Sequence, residues 1–141
     1  MSSPSIVGFI DEVIEVIRDL PGIVFVPDDP PATIATHPAA VVWLTDFRAN
    51  LGPDAIVEHH FGVRIGLITA MSNIAVANQR ILPQIEPVIE AIAHKQRQAA
   101  GFLNSINIEA VSGTYGPIQW GDIWYFGALI DLGDIKIVRQ A

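Results

Sequence analysis

Ten residues near the end of the chain, Ile123 to Leu132 (IWYFGALIDL), constrain its folding more than any other stretch. Side chains on a β-strand point alternately to opposite faces. As a strand, this block puts Trp124, Phe126, Ala128, Ile130 and Leu132 on one face and Ile123, Tyr125, Gly127, Leu129 and Asp131 on the other. Both faces are mainly apolar, so both need cover. The helices of a small one-sheet domain cover only one face, and the expected cover for the second is a neighbouring copy of the chain. The block therefore points to an assembly component more than to a free-standing enzyme.

Composition agrees. Only 16% of the 141 residues are charged while 50% are hydrophobic, and mean hydropathy is +0.40. Average soluble domains carry about 25% charged residues, and the shortfall suggests apolar surface protected in an oligomer. A chain of this length reads as one domain, 1–141, with no need of disulfides or metal to fold. It has no cysteine, which excludes disulfide scaffolds, cysteine-ligated zinc and thiol nucleophiles. Net charge is −7 and the eight basic residues are scattered, so no patch grips a phosphate backbone. The start MSSPS lacks the positive region of a signal peptide. The longest apolar stretch, Val63 to Ala77, is broken by Arg64, Ser72 and Asn73, so no membrane span is expected.

Along the chain, Ser3-Pro4 reads as an N-cap with proline at the first helical position. Ile6, Phe9, Ile10, Val13, Ile14, Ile17 and Leu20 follow at helical spacing, and Pro21-Gly22 stops the helix. Ile23 to Val26 is a short strand candidate, and Pro27 to Pro38, with four prolines, an extended loop that is either surface or an arm to a neighbour. Ala40 to Asp46 and Ile56 to Thr69 read as strands joined through the turn-prone Asn50 to Asp54, an antiparallel hairpin. Ile74 to Ala100 is a second helical region, with a break or kink expected near Ile85 to Pro87 because of Pro83 and Pro87, and with Gly101 just past its end. Ile106 to Val111 is a strand, Gly113 to Gly121 a turn-rich loop, and Ile135 to Val138 a closing segment after the opening block. The fold class is α+β: a mostly antiparallel sheet with two helices packed on one face, in the order α-β-β-β-α-β-β.

Few residues offer chemistry. His59 and His60 are adjacent on a strand, so they point to opposite faces and cannot jointly hold one metal; with His37 and His94 they show no ligand spacing. Asp28-Asp29 and the Asp11, Glu12 and Glu15 cluster read first as solvated acidic surface. Gly113-Thr114-Tyr115-Gly116 lacks the lysine and the following helix of a phosphate loop and reads as a turn. No Gly-x-Ser-x-Gly elbow, H-E-x-x-H or dinucleotide fingerprint occurs. Trp43, Trp120, Trp124, Tyr125 and Phe126 read as core and interface anchors ahead of a ligand box.

Taken together, the opening amphipathic helix ending in Leu20-Pro21-Gly22-Ile23, the Pro-rich loop, the hairpin around Val41–Thr45 and His60–Thr69, the proline-started helix and the last pair of strands resemble the tail terminator and head–tail joining proteins of tailed bacteriophages. The resemblance rests on element order, length and hydrophobic pattern across nearly the whole chain. It implies a structural virion protein, not an enzyme, forming a ring, expected to be hexameric, that caps the tail tube, ends its polymerisation and joins tail to head. It further implies a tail-tube protein on one face, a neck or connector protein on the other, and DNA passing the lumen without specific binding. The place implied is the tail–neck junction of the virion, after assembly in the host cytoplasm, with no cofactor, metal or catalytic residue. On this reading Trp124, Phe126, Leu129, Asp131, His59 and His60 are interface candidates, and Asp11, Glu12 and Glu15 are acidic lumen candidates. The alternatives are a neck or head-completion connector or a tail-tube protein and, from another class, a small metal- or ligand-binding enzyme domain.

Overall fold

A computed structural model describes residues 5–71, 73–97, 108 and 110–141. Ser3, Pro4, Gln98 to Ala100, Gly101 and the start of the expected strand at Ile106 lie outside them. Within the described residues the order is helix α1 (Ile6–Arg18), strand β1 (Ala39–Leu51), a single 3-10 turn at Pro53–Ala55, strand β2 (Ile56–Ala70), helix α2 (Ile74–Arg97), strand β3 (Ala110–Trp120) and strand β4 (Ile123–Gln140). The sheet is four-stranded, antiparallel throughout and ordered β1-β2-β4-β3, which leaves β1 and β3 as its edges. The expected α+β class holds, with both helices on one face.

Helical spacing buries Phe9, Val13, Ile14 and Ile17 of α1 and Ala77, Ile81, Val88 and Ile92 of α2. They meet Ala40 and Val42 of β1, Val63, Ile65 and Leu67 of β2, and Ala128, Ile130 and Leu132 of β4 in the main core. Ser5 caps α1, its hydroxyl accepting from the Gly8 N–H at 3.0 Å, so the cap sits two residues later than the Ser3 assignment. Asn73 caps α2 by accepting from the N–H groups of Ala75 and Val76.

Five sequence expectations need correction. First, α2 runs unbroken through Pro83 and Pro87. Pro83 is exposed and Pro87 half-buried, so both lie off the stripe of Ala77, Ile81, Val88 and Ile92 that packs on the sheet, and that packing holds the helix together across two missing N–H donors. Second, Gly113 to Trp120 is strand, including the Gly113–Gly116 stretch read as a turn. An edge strand tolerates Pro117, whose missing N–H faces away from the ladder, and at Gly113 a Cβ would meet the Leu129 carbonyl oxygen at 2.4 Å. Only Gly121 and Asp122 remain as a two-residue hairpin loop, with Gly121 at φ +62. Third, Ile135 to Val138 continues β4 instead of forming a separate segment. Fourth, of Ile23 to Val26 only Phe25 is strand-like, forming an isolated parallel bridge to Ala39.

A fifth correction matters most. The second face of β4 is not left for a neighbour: the chain's own Pro-rich loop roofs much of it. Ile34, Ala39, Val41, Ile68, Ile118 and Tyr125 form a second buried cluster, with Phe25, Trp43, Trp120 and Leu129 packed against it. The Ile34 N–H donates to the Tyr125 hydroxyl at 3.1 Å, and the Trp120 indole N–H donates to the Pro31 carbonyl at 2.8 Å. The Trp43 and Trp120 rings meet edge to face with centroids 5.2 Å apart.

Candidate assembly surface

Three strands change register at one level of the sheet. The β1–β2 pairing shifts between Leu44 and Asp46, and the β2–β4 pairing between Phe61 and Val63, where Gly133 and Asp134 oppose Gly62. Asp134 takes φ +55, and at Gly62 a Cβ would stand 2.5 Å from an Asp46 carboxylate oxygen. Bulges bend a strand and increase its local twist. Beyond this level Thr45–Leu51, Ile56–Phe61 and Ile135–Gln140 continue as a three-stranded tongue.

Register assigns the faces of the tongue. Phe47 opposes Phe61, which opposes Ile135; Ala49 opposes His59, which opposes Ile137; Leu51 opposes Val57. Phe61, Ile135 and Ile137 belong to the main core, so this is the helix-bearing face. Its outer column has no helix above it: Phe47 is 74% exposed and Leu51 83%. Asp46, Arg48, Asn50, Glu58, His60 and Lys136 occupy the opposite face. The tongue is amphipathic: its helix side is mainly apolar, with His59 and Arg139 its polar members. The alternation of Asp46-Phe47-Arg48-Ala49-Asn50-Leu51 was the available signal for it, obscured by the turn-forming residues that follow.

At the other edge of the sheet the relation is reversed. There α2 overhangs β3, and a groove of about 280 Å³ opens between them, lined by Ile85 and Ile89 above and Val111 to Tyr115 below. Leu82, on the same helical stripe three residues before Ile85, is 48% exposed. Gly113 supplies no side chain to fill the floor, and the Tyr115 hydroxyl, hydrogen-bonded to the Asn78 side chain, ties one end to the helix. Burial raises the Tyr115 phenol above its ordinary value. Sequence reading missed this groove because it ended the strand at Val111 and took Gly113 to Gly116 for a turn.

The interface candidates do not converge on one patch. Trp124 is 54% exposed near the Gly121 hairpin, whereas Phe126 is buried, its ring edge-on to Tyr115 at 5.0 Å. Leu129 is half-buried under the loop-roofed cluster. Asp131 accepts from Arg64 across β2 and β4 at 2.6 Å, a hydrogen bond that raises the Arg64 guanidinium above its ordinary value. His59 and His60 lie on opposite faces of the tongue, and the His60 ring contacts Glu58 at 2.5 Å. That contact holds the Glu58 carboxyl below the ordinary carboxylate value.

Glu12 and Glu15 line a second groove, between α1 and α2, with Asp19, His94 and Lys95; Asp11 is exposed outside it. Glu15 and Asp28 both pair with Arg18 at 2.8 Å, and Arg18 also donates to the Val26 carbonyl, pinning the start of the Pro-rich loop to α1. Among the described residues no group of three or more His, Asp or Glu side chains is placed to hold a metal ion, and no helix is long and apolar enough to cross a membrane. No protein-family model matches the chain, and no curated protein aligns with it significantly.

Proposed function

We propose that the protein is a structural subunit that assembles with further copies of itself into a ring of the tail-terminator kind, capping a tail tube and joining it to the head. The observation that carries this reading is the tongue, whose helix-side column of Phe47, Ala49 and Leu51 extends past the helices of its own chain. Bare apolar residues at an open strand edge invite pairing with another chain unless something covers them. The net charge of −7 suits a ring through which DNA slides without sticking. The action is steric: the ring occupies the end of the tube and no bond is made or broken.

Native mass spectrometry and negative-stain imaging of the purified protein test this directly. Closed rings that bind the ends of isolated tail tubes are expected. A protein that stays monomeric at micromolar concentration and leaves tube ends bare contradicts it. Imaging a labelled subunit in assembled particles separates a terminator from a connector or a tube subunit by position alone.

A further inference from the structure

The two sheet edges complement each other. At β1 there are strands without a helix over them; at β3 a helix stands over the edge strand with an open apolar groove between them. We infer that the free edge of the tongue, Thr45 to Leu51, pairs with the β3 edge of a second copy of the chain, seating Phe47, Ala49 and Leu51 in the groove under Ile85 and Ile89 and against the neighbouring Leu82 of the same helical stripe. This rests on the self-assembly reading above and specifies which surfaces meet.

Four observations fix the choice. The base of β1 is occupied, because Phe25 pairs with Ala39 there and the Ala40 N–H donates to the Phe25 carbonyl at 2.9 Å; the tongue lies at the far end of the same edge, away from that contact. On β3, Pro117 closes the usable edge at one end, leaving the stretch from Val111 that lines the groove. Faces agree as well. Val111, Gly113 and Tyr115 oppose Leu132, Ile130 and Ala128 on the helix side, so a strand added beside β3 puts its helix-side residues under α2. Finally, charge permits the contact. None of the residues lining the groove is charged, and the helix-side face of the tongue carries no acidic residue, in a chain whose net charge of −7 otherwise drives copies apart.

Because the paired surfaces sit on opposite edges of one sheet, the contact is heterologous. A heterologous contact makes rings when its rotation closes and filaments when it does not. Pairing edge to edge with copies in like orientation makes the new strand pair antiparallel, as every pair within the sheet already is.

The test uses two variants at exposed positions, Phe47→Asp in the tongue and Leu82→Asp on the α2 stripe beside the groove, with circular dichroism checking the fold of each; Leu51→Asp replaces Phe47→Asp if that chain misfolds. Sedimentation should show wild type assembled beyond the dimer and each variant weakened by roughly tenfold or more. An equimolar mixture should give a 1:1 heterodimer and nothing larger, since the intact tongue of Leu82→Asp then meets the intact groove of Phe47→Asp. If wild type assembles and either variant assembles equally well alone, this interface is wrong and the assembly reading stands; that outcome includes a groove filled by another segment or a foreign peptide. If wild type is monomeric throughout, both fall.

Discussion

The backbone N–H of Ile34 donates to the hydroxyl of Tyr125 across 91 positions of sequence, and that bond fastens the Pro-rich loop to the outer face of the sheet. Both residues are buried. Tyr125→Phe leaves the Ile34 N–H without its partner in an apolar setting, which costs about 1–3 kcal/mol. Urea denaturation should show that loss with an unchanged m-value; equal stability would mean that the loop is held by its apolar contacts alone.

Gly127 sits where a Cβ would come within 1.8 Å of the Leu67 carbonyl oxygen, a backbone atom of the paired strand. No side-chain rotation relieves that overlap, so β2 and β4 must separate. Gly127→Ala should destabilise the chain by roughly 3 kcal/mol, beyond ordinary overpacking only if the strand register gives way. Thermal melts compared with Gly52→Ala, where the nearest contact is 3.5 Å, isolate the effect from glycine entropy.

Glu58 gives the tongue a pH dependence of definite sign. Its folded-state pKa lies below the ordinary 4.5, chiefly through the hydrogen bond to His60. A depressed carboxylate stabilises the fold above its unfolded value, and the contribution is lost as pH falls through the folded value. Stability should therefore drop more steeply in wild type than in Glu58→Gln as pH is lowered below about 4.5. Parallel pH profiles would show that the contact has no energetic weight.

Arg64 and Asp131 pair across the outer face with side chains 36% and 38% exposed. Pairs this wet contribute about 1 kcal/mol at most, and salt screens them. Asp131→Asn should cost less than that in dilute buffer and almost nothing in concentrated salt. A loss of assembly without a loss of stability would instead give Asp131 a role between subunits.

The parts of this fold with a period were readable from sequence, and the aperiodic parts were not. The 3.6-residue spacing of Phe9, Val13 and Ile17 and the two-residue spacing of Phe61, Val63 and Ile65 mark which face each element buries. The two-sided apolarity of Ile123 to Leu132 was real, but its cover was misjudged. A loop rich in proline and alanine has no repeat to betray that Ile34 is a core residue, and its partners Tyr125 and Trp120 are distant in sequence. Bulges hide strands in the same way. The slip at Gly133 and Asp134 moves the buried positions of β4 from Leu132 to Ile135 and Ile137, so one strand reads as two. The groove beside β3 depended on Gly113 and Pro117, residues that announce a turn unless the strand is known to lie at an edge.

The roof over the outer sheet face also changes where the chain is open to attack. A segment with four prolines and no regular structure looks like the natural site for a protease or for a peptide insertion. Here it is anchored at Arg18, at Pro31 through Trp120, and at Ile34 through Tyr125. Cleavage needs several residues of backbone drawn away from the surface, and drawing this one away exposes the second core. Residues 27–38 should resist limited digestion until the domain unfolds, and an epitope inserted there should cost stability that the same epitope at Gly52–Asp54 does not.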